Sequence, residues 1–175
     1  LYTPVELQNK LSEVIEEEIS EGDEELEEDY NEYLNNFISK EEIADKRIMD
    51  MGCGTGVFAI LSMKMGAEYA KAIDIDIWAA ENAKENAKKN SVSVDVLLGD
   101  ASLLSENEKF DIFFANINRN ILLADMQTYS NSIQEGGVLF LSGFYSQDVA
   151  ILEAECKEFG LELTDVETKD NWAAM

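Results

Sequence analysis

The sequence lacks histidine altogether, and it holds only two cysteines and one proline among 175 residues. Without histidine, the commonest metal ligand and the commonest general base are both missing. Cys53 and Cys156 stand far apart and match no zinc spacing, so we expect neither a metal site nor a disulfide framework. No apolar run reaches the roughly 18 residues that a membrane span needs, and no signal-peptide pattern is present. These absences predict a protein of the reducing cytoplasm with no membrane partner.

Basic residues are also scarce, since 13 lysines and arginines stand against 37 aspartates and glutamates, for a net charge of -24. Residues 1–46 alone hold 16 acidic and 3 basic residues. Such a surface repels phosphate backbones, so nucleic acid is not an expected partner, whereas a basic protein or a cationic small molecule would be attracted. A solvated acidic face that maintains solubility explains the same charge without any partner.

Residues 1–45 are predicted to form an acidic helical extension. Thr3, Pro4 and Glu6 make a helix-start signal. A charged run then leads to apolar residues at helical spacing, which predict one buried stripe: Leu26, Tyr30, Tyr33, Leu34, Phe37 and Ile38. The rest of the chain, residues 46–175, has the length of one ordinary domain.

From Arg47 onward, short apolar strands alternate with helices of ten or more residues. Strands are predicted at 47–52, 70–76, 93–99, 110–117 and 137–144, and helices at 56–66, 78–90, 119–133 and 147–159. The C-terminal stretch GLELTDVETKDNWAAM predicts one more strand and the start of another, which would close one edge antiparallel. The pattern is typical of an α/β protein with a doubly wound, mostly parallel sheet of seven strands.

The stretch DMGCGTG, residues 50–56, occupies the carboxyl end of the first predicted strand. In a doubly wound sheet the ligand binds at the carboxyl ends of the strands, where the strand order reverses. Gly52, Gly54 and Gly56 allow the backbone to turn tightly and to approach a ligand closely, although an ordinary glycine-rich turn would look the same. Asp50 and Cys53 belong to this loop and are further candidate ligand contacts.

Acidic residues also end the next two predicted strands. Asp74 stands 22 residues beyond the first glycine of the loop, where a carboxylate can accept both hydroxyls of a ribose, and we prefer it to Asp76. Ile75 beside it is a candidate contact of the same ligand. Asp100 would accept a hydrogen bond from an adenine amino group, and Ala101 would donate its N–H to the ring. Asp100 is equally suited to capping a helix.

The fourth predicted strand ends at Asn116, within FFANINRN. An amide offers both a donor and an acceptor, which suits it to positioning an amine. Asn118 and Asn120 are equally suited to capping the following helix. Arg119 either anchors a nearby carboxylate or lies in solvent.

The spacing of the glycine loop distinguishes among nucleoside cofactors. The loop reads G-x-G-x-G, whereas a nicotinamide fingerprint reads G-x-G-x-x-G, and the phosphate-binding pattern G-x-x-x-x-G-K-[ST] is missing. S-adenosyl-L-methionine fits better, because it has no phosphate to bind and its sulfonium cation suits an acidic site. We therefore expect S-adenosyl-L-methionine as the cofactor.

Five segments of the chain, in order and spacing, resemble the ribosomal protein L11 methyltransferases, a class I S-adenosylmethionine-dependent family. They are IMDMGCGTGVFAI, GAEYAKAIDID, ENAKENAKKN, FDIFFANINRNIL and GGVLFLSGFYSQD. The segments ANINRNILL and LSGFY and the terminal NWAAM are most similar to Bacteroidetes-type members. The resemblance covers residues 46–175 and implies methylation of amino groups, mainly lysine side chains, on a ribosomal protein.

Carried over position by position, the resemblance implies that Gly52, Asp74 and Asn116 contact the cofactor and that Asn116, as the catalytic residue, faces the incoming amine. Family members also carry a separate N-terminal domain that grips the ribosomal protein, which we do not expect in a chain of this length. A Gly-Thr-Gly loop with histidine and threonine closes over their cofactor. Here LYTPVELQNKL takes its place, and Thr3 would replace the threonine.

Two other functions are compatible with the same residues. One is a methyltransferase for a small molecule or for another protein, built on the same core. The other is a non-catalytic domain that binds the cofactor and has lost substrate recognition. The oligomeric state cannot be predicted from the sequence.

Overall fold

A computed structural model describes residues 43–105 and 107–175, which contain seven strands and four α-helices. The predicted N-terminal extension, including Thr3, lies outside the described residues except for its last three positions. The strands are β1 Arg47–Met51, β2 Tyr69–Asp74, β3 Asp95–Leu98, β4 Phe110–Asn116, β5 Ile133–Tyr145, β6 Glu167–Lys169 and β7 Trp172–Ala174. The helices are α1 Val57–Lys64, α2 Ile77–Lys89, α3 Arg119–Ser132 and α4 Val149–Glu158.

All seven strands belong to one sheet, in the order β3-β2-β1-β4-β5-β7-β6. β1 to β5 run parallel, and β7 pairs antiparallel with both β5 and β6. The predicted doubly wound sheet with an antiparallel edge is therefore confirmed. β6 and β7 form a hairpin whose two turn residues, Asp170 and Asn171, have positive φ angles of 50° and 69°, as the favoured two-residue turn requires.

The helices cover both faces of the sheet, which explains the near-continuous apolar runs in its central strands. Ile48 and Met49 are adjacent in β1 and point to opposite faces, and both are fully buried. Ile48 belongs to the core beneath α1 and α2, together with Ala59 and Ala83. Met49 belongs to the core beneath α3 and α4, whose inward residues include Leu122, Met126, Tyr129, Leu152 and Cys156.

The largest difference from the predicted boundaries is in β5, which begins at Ile133 rather than at residue 137. Gly136 has a φ of 77° and lies where the register between β4 and β5 shifts, so the strand continues through an irregularity. β3 is shorter than predicted, with only four residues.

Ion pairs join the amino ends of the strands, at the edge opposite the glycine loop. Lys71 of β2 is buried and pairs with Glu108, and its Nζ lies 3.9 Å from Asp95 Oδ2. The backbone N–H of Arg47 donates to Asp111 Oδ2 at 2.8 Å. These contacts connect β1, β2 and β3 to β4 and to the segment that precedes it. Among the described residues, no helix combines the length and the apolar composition that a membrane crossing would need.

Candidate functional site

The glycine loop lies at the switch point of the sheet, where the chain leaves β1 for β2 on one side and later returns to β4 on the other. Gly52, Gly54 and Gly56 all have positive φ angles, of 67°, 55° and 81°. The N–H of Gly52 donates to the Ile73 carbonyl oxygen at 2.8 Å, which fastens the loop to the end of β2. A Cβ on Gly52 would lie 2.8 Å from Ile117 Cγ1, so a side chain is excluded there.

Asp74, the last residue of β2, holds the glycine loop directly. Its Oδ2 accepts a hydrogen bond from the Gly54 N–H at 2.8 Å, and its Oδ1 accepts one from the Asp76 N–H at 2.9 Å. A carboxylate oxygen has two lone pairs, so each oxygen retains capacity for a ligand hydroxyl. Asp76 has another task, because its Oδ1 caps α2 by accepting from Trp78 and Ala79 N–H groups. The two carboxylates therefore differ in their contacts, since Asp74 holds the glycine loop and Asp76 caps α2.

Asp50, the fourth of the five residues of β1, is a buried carboxylate next to the loop with 2% of its surface exposed. Its Oδ2 accepts a hydrogen bond from the Ala59 N–H at 3.1 Å, which satisfies a donor in the first turn of α1. Burial, followed by the charge of Asp74, raises the pKa of Asp50 to about 7, against the lowering effect of the Ala59 hydrogen bond. Burial and the same two carboxylates also raise the pKa of the Cys53 thiol, so Cys53 stays protonated.

The pair Asp50 and Asp74 provides a test of whether the predicted cofactor fits. Two carboxylates near one loop destabilise each other unless a positive charge lies close by. S-adenosyl-L-methionine carries a sulfonium and an ammonium group, and its adenosine carries two ribose hydroxyls. The buried carboxylate of raised pKa suits a cation, and the exposed lone pairs of Asp74 suit the hydroxyls. The described residues therefore fit this cofactor.

The ends of β2 and β3 form an apolar rim beside Asp74. The N–H of Gly99 donates to the Asp74 carbonyl oxygen at 2.8 Å, which brings the two strand ends together. Ile75 is 78% exposed, and Leu103 is also exposed. Such a rim suits a flat aromatic ring, as the predicted adenine contacts require.

Asp100 and Ala101 begin the short 3-10 turn that follows β3. Asp100 Oδ1 accepts a hydrogen bond from the Ser102 N–H at 2.9 Å, so the carboxylate caps this turn. Hydrogen bonds from Ser102 lower the pKa of Asp100. Ala101 itself is buried. The capping role foreseen for Asp100 is therefore present.

Asn116 is the last residue of β4, across the switch point from the glycine loop. Asn118 Oδ1 caps α3 by accepting from two backbone N–H groups, as its alternative interpretation predicted. Asn120 instead accepts from the Arg119 guanidinium. Arg119 anchors a carboxylate, because its Nη1 donates to Asp148 Oδ1 at 2.8 Å. The structure thus settles the alternatives for these three residues.

Two neighbours of the site were not predicted from the sequence. Ile117 packs against Gly52, and Asp148, which is buried, receives Arg119. Nothing in the local sequence distinguishes either one, since the first is an ordinary apolar residue and the second is one of 37 acidic residues. Gly143 also touches the site, and an isolated glycine within a predicted strand was the available signal for it.

Comparison with solved structures defines the class of protein. A ribosomal protein L11 methylase from Lactobacillus delbrueckii subsp. bulgaricus is 29% identical, with a TM-score of 0.66 over 74% of this chain and 67% of that chain. A 16S rRNA methyltransferase of T. thermophilus, solved with AdoMet and guanosine, shares the fold at 19% identity, with a TM-score of 0.65 over 83% of this chain and 40% of that chain. The fold is that of the class I methyltransferases.

Sequence comparison then gives the family. Residues 32–175 match the family model described as ribosomal protein L11 methyltransferase (PrmA), and the chain belongs to this family. A ribosomal protein L11 methyltransferase of Porphyromonas gingivalis is 47% identical over 144 residues, which are 81% of this chain and 49% of that protein. One from Thermotoga neapolitana is 35% identical over 82% of this chain and 52% of its own length. The chain spans about half the length of the curated relatives it matches.

Proposed function

We propose that this chain is an S-adenosyl-L-methionine-dependent N-methyltransferase that transfers methyl groups to lysine or amino groups of ribosomal protein L11. The observation that carries the proposal is the glycine loop held by Asp74 at the switch point, above the buried carboxylate of Asp50. Family membership supports the same conclusion, because relatives at 47% and 35% identity bear this activity in their names.

The proposed cofactor site uses the residues predicted from the sequence. Asp74 accepts the ribose hydroxyls, and the backbone of Gly52, Cys53, Gly54 and Gly56 approaches the amino-acid part of the cofactor. Asp50 supplies negative charge beneath that part. The adenine lies along Ile75, with Asp100 and Ala101 at its edge. Thr3, which lies outside the described residues, is proposed to close over the cofactor from the N-terminal side. The predicted division into residues 1–45 and 46–175 also stays a prediction.

The proposed chemistry requires little beyond position and the exclusion of water. When bound, the cofactor supplies a methyl group already activated on sulfonium. Asp74 and the glycine loop would hold the cofactor, the acceptor nitrogen would receive its methyl group, and the extra proton on that nitrogen would leave to water. Asn116 orients the nitrogen lone pair in this scheme. Burial beside a cationic cofactor would favour the neutral amine.

The charge of the chain supports a basic acceptor. A net charge of -24 draws a basic ribosomal protein toward the site and repels the phosphates of free RNA. Both cysteines are unpaired thiols, which agrees with the cytoplasm as the proposed setting.

The test is transfer of a labelled methyl group from S-adenosyl-L-methionine to purified ribosomal protein L11. We expect label on the protein, and we expect Asn116→Ala to reduce the rate by roughly 100-fold, since it removes a group that positions the reacting atoms. The conservative variant Asn116→Asp tests whether the amide donor matters. No label on L11 while the cofactor still binds would overturn L11 as the substrate and would favour a small-molecule or other protein acceptor.

A further inference from the structure

An aromatic pair stands at the carboxyl edge of the sheet, on the β4–β5 side of the glycine loop. Tyr145 ends β5 and lies opposite Trp172, which begins β7, with ring centroids 4.6 Å apart and an angle of 34° between the planes. Tyr145 remains 47% exposed. The cofactor roles proposed above use neither residue. A cross-strand aromatic pair stabilises any sheet. Whether this pair also contacts a ligand depends on where it lies relative to the site.

A bulge in β5 turns Tyr145 away from the buried core. β5 advances two residues, from Ser142 to Phe144, while its partner β7 advances one, so Gly143 is an extra residue with a φ of 86°. Because of this extra residue, Phe144 is buried in the same core as Leu141. Tyr145 then points to the other side and reaches the surface. Bulges of this kind re-aim side chains next to active sites.

The same bulge packs the end of β5 directly against the end of β4. A Cβ on Gly143 would lie 2.9 Å from Asn116 Oδ1 and 2.9 Å from the Ile117 carbonyl oxygen. The Ile117 N–H donates to the Ser142 carbonyl oxygen at 3.1 Å. The residue proposed to face the amine therefore touches the strand that carries Tyr145.

A buried carboxylate fixes Tyr145 relative to the helix that follows β4. Asp148 Oδ1 accepts from Arg119 Nη1 at 2.8 Å, and its Oδ2 accepts from the Tyr145 backbone N–H at 3.2 Å. Asp148 is 6% exposed, so these charge-assisted bonds form where water competes little. Arg119 begins α3 three residues after Asn116. Its contact with Asp148 therefore fixes the segment that follows β4 relative to the segment that follows β5.

We propose that Tyr145 and Trp172 form the acceptor wall of the site, which binds the methylene stem and the amino group of a lysine-like primary amine whose nitrogen reaches Asn116. This inference rests on the proposed function and adds the residues that select the acceptor. Aromatic faces pack well against methylene groups and attract ammonium cations. The wall therefore holds the protonated amine as it enters and the methylated cation that leaves.

The two tryptophans of the chain allow a direct test, because Trp78 is 77% exposed on α2 and serves as an internal reference. The chain is saturated with S-adenosylhomocysteine and titrated with Nα-acetyl-lysine N-methylamide while the two indole N–H signals are followed by NMR. We expect a saturable shift of the Trp172 signal and none of the Trp78 signal. An unmoved Trp172 signal, or equal shifts of both signals, would overturn the acceptor wall.

Substitutions of Tyr145 test its contribution to probe binding in the same titration. Tyr145→Ala should weaken the affinity for the probe by about tenfold, Tyr145→Leu should behave similarly, and Tyr145→Phe should keep the affinity of the unmodified chain, because the ring is what binds. Ile151→Ala removes an equally exposed apolar side chain from the first turn of α4 and should change nothing. Thermal melting confirms that each variant is folded.

The outcomes separate this inference from the proposed function. Failure of S-adenosylhomocysteine to bind would overturn the proposed function, and this inference with it. Normal cofactor binding together with wild-type probe affinity in Tyr145→Ala and Tyr145→Leu would overturn the acceptor wall alone. In turnover with L11, Tyr145→Ala should raise KM far more than it lowers kcat, which loss of a merely structural contact would not do.

Discussion

The raised pKa of Asp50 predicts an unusual dependence of stability on pH in the cofactor-free chain. In the folded state Asp50 keeps its proton up to a pH of about 7, whereas an unfolded aspartate releases it near 3.8. Between these two values the folded state binds more protons than the unfolded state. The free energy of unfolding therefore falls as pH rises through this window, by about 1.4 kcal/mol per pH unit, and the contribution levels off above a pH of about 7.

Between pH 3.8 and about 7, the free energy of unfolding falls by about 4 kcal/mol in total, and about 2 kcal/mol of this fall lies between pH 5.5 and 7. Asp50→Asn removes the titration while its carbonyl oxygen retains an acceptor for the Ala59 N–H. The buried amide has a cost of its own, but that cost does not depend on pH. Relative to the variant, the unmodified chain should therefore lose about 2 kcal/mol over this range.

Urea unfolding of both proteins at several pH values between 5.5 and 8.5 measures this difference. Asp165→Asn, which changes an exposed aspartate, is the matched control. Its free energy of unfolding should change with pH in the same way as that of the unmodified chain. If the stabilities of the unmodified chain and of Asp50→Asn also stay parallel across this range, Asp50 is ionised in the folded state and the reasoning is wrong.

Two further substitutions test the loop and the opposite edge of the sheet. Gly52→Ala should lower the free energy of unfolding by about 2 kcal/mol, since the residue has a φ of 67° and its Cβ would lie 2.8 Å from Ile117 Cγ1; an unchanged melting curve would contradict this. Lys71→Met should cost about 2 kcal/mol, because it leaves the half-buried Glu108 without its closest cation. The exposed Lys84→Met should cost less than about 0.5 kcal/mol, and equal losses would show that burial does not matter.

The arrangement of the glycine loop and Asp74 was largely predictable, because its signals are local. The loop glycines, Asp74 and Asn116 each lie at or directly after the carboxyl end of a strand that the apolar pattern predicts. The parallel sheet then brings the strand ends to one edge, which explains why Gly54 and Asp74 meet although 20 residues separate them.

The acceptor side was not predictable to the same degree, because its contacts join distant residues. Arg119 and Asp148 are 29 positions apart, and no spacing rule selects one aspartate among so many. The early start of β5 was also missed, because the strand passes through Gly136 with a positive φ. Tyr145 became informative only when the bulge at Gly143 showed which way the side chain points.

Calorimetric titration of the chain with S-adenosyl-L-methionine tests the central proposal most directly. We predict one binding site per chain, with affinity weakened by about 1–3 kcal/mol in Asp74→Ala, because ribose hydroxyls and the loop lose their acceptor. Asp165→Ala, which removes an exposed carboxylate outside the site, should bind like the unmodified chain. Absence of binding, or equal affinity in Asp74→Ala and the unmodified chain, would contradict the assignment of the glycine loop and Asp74 to the cofactor.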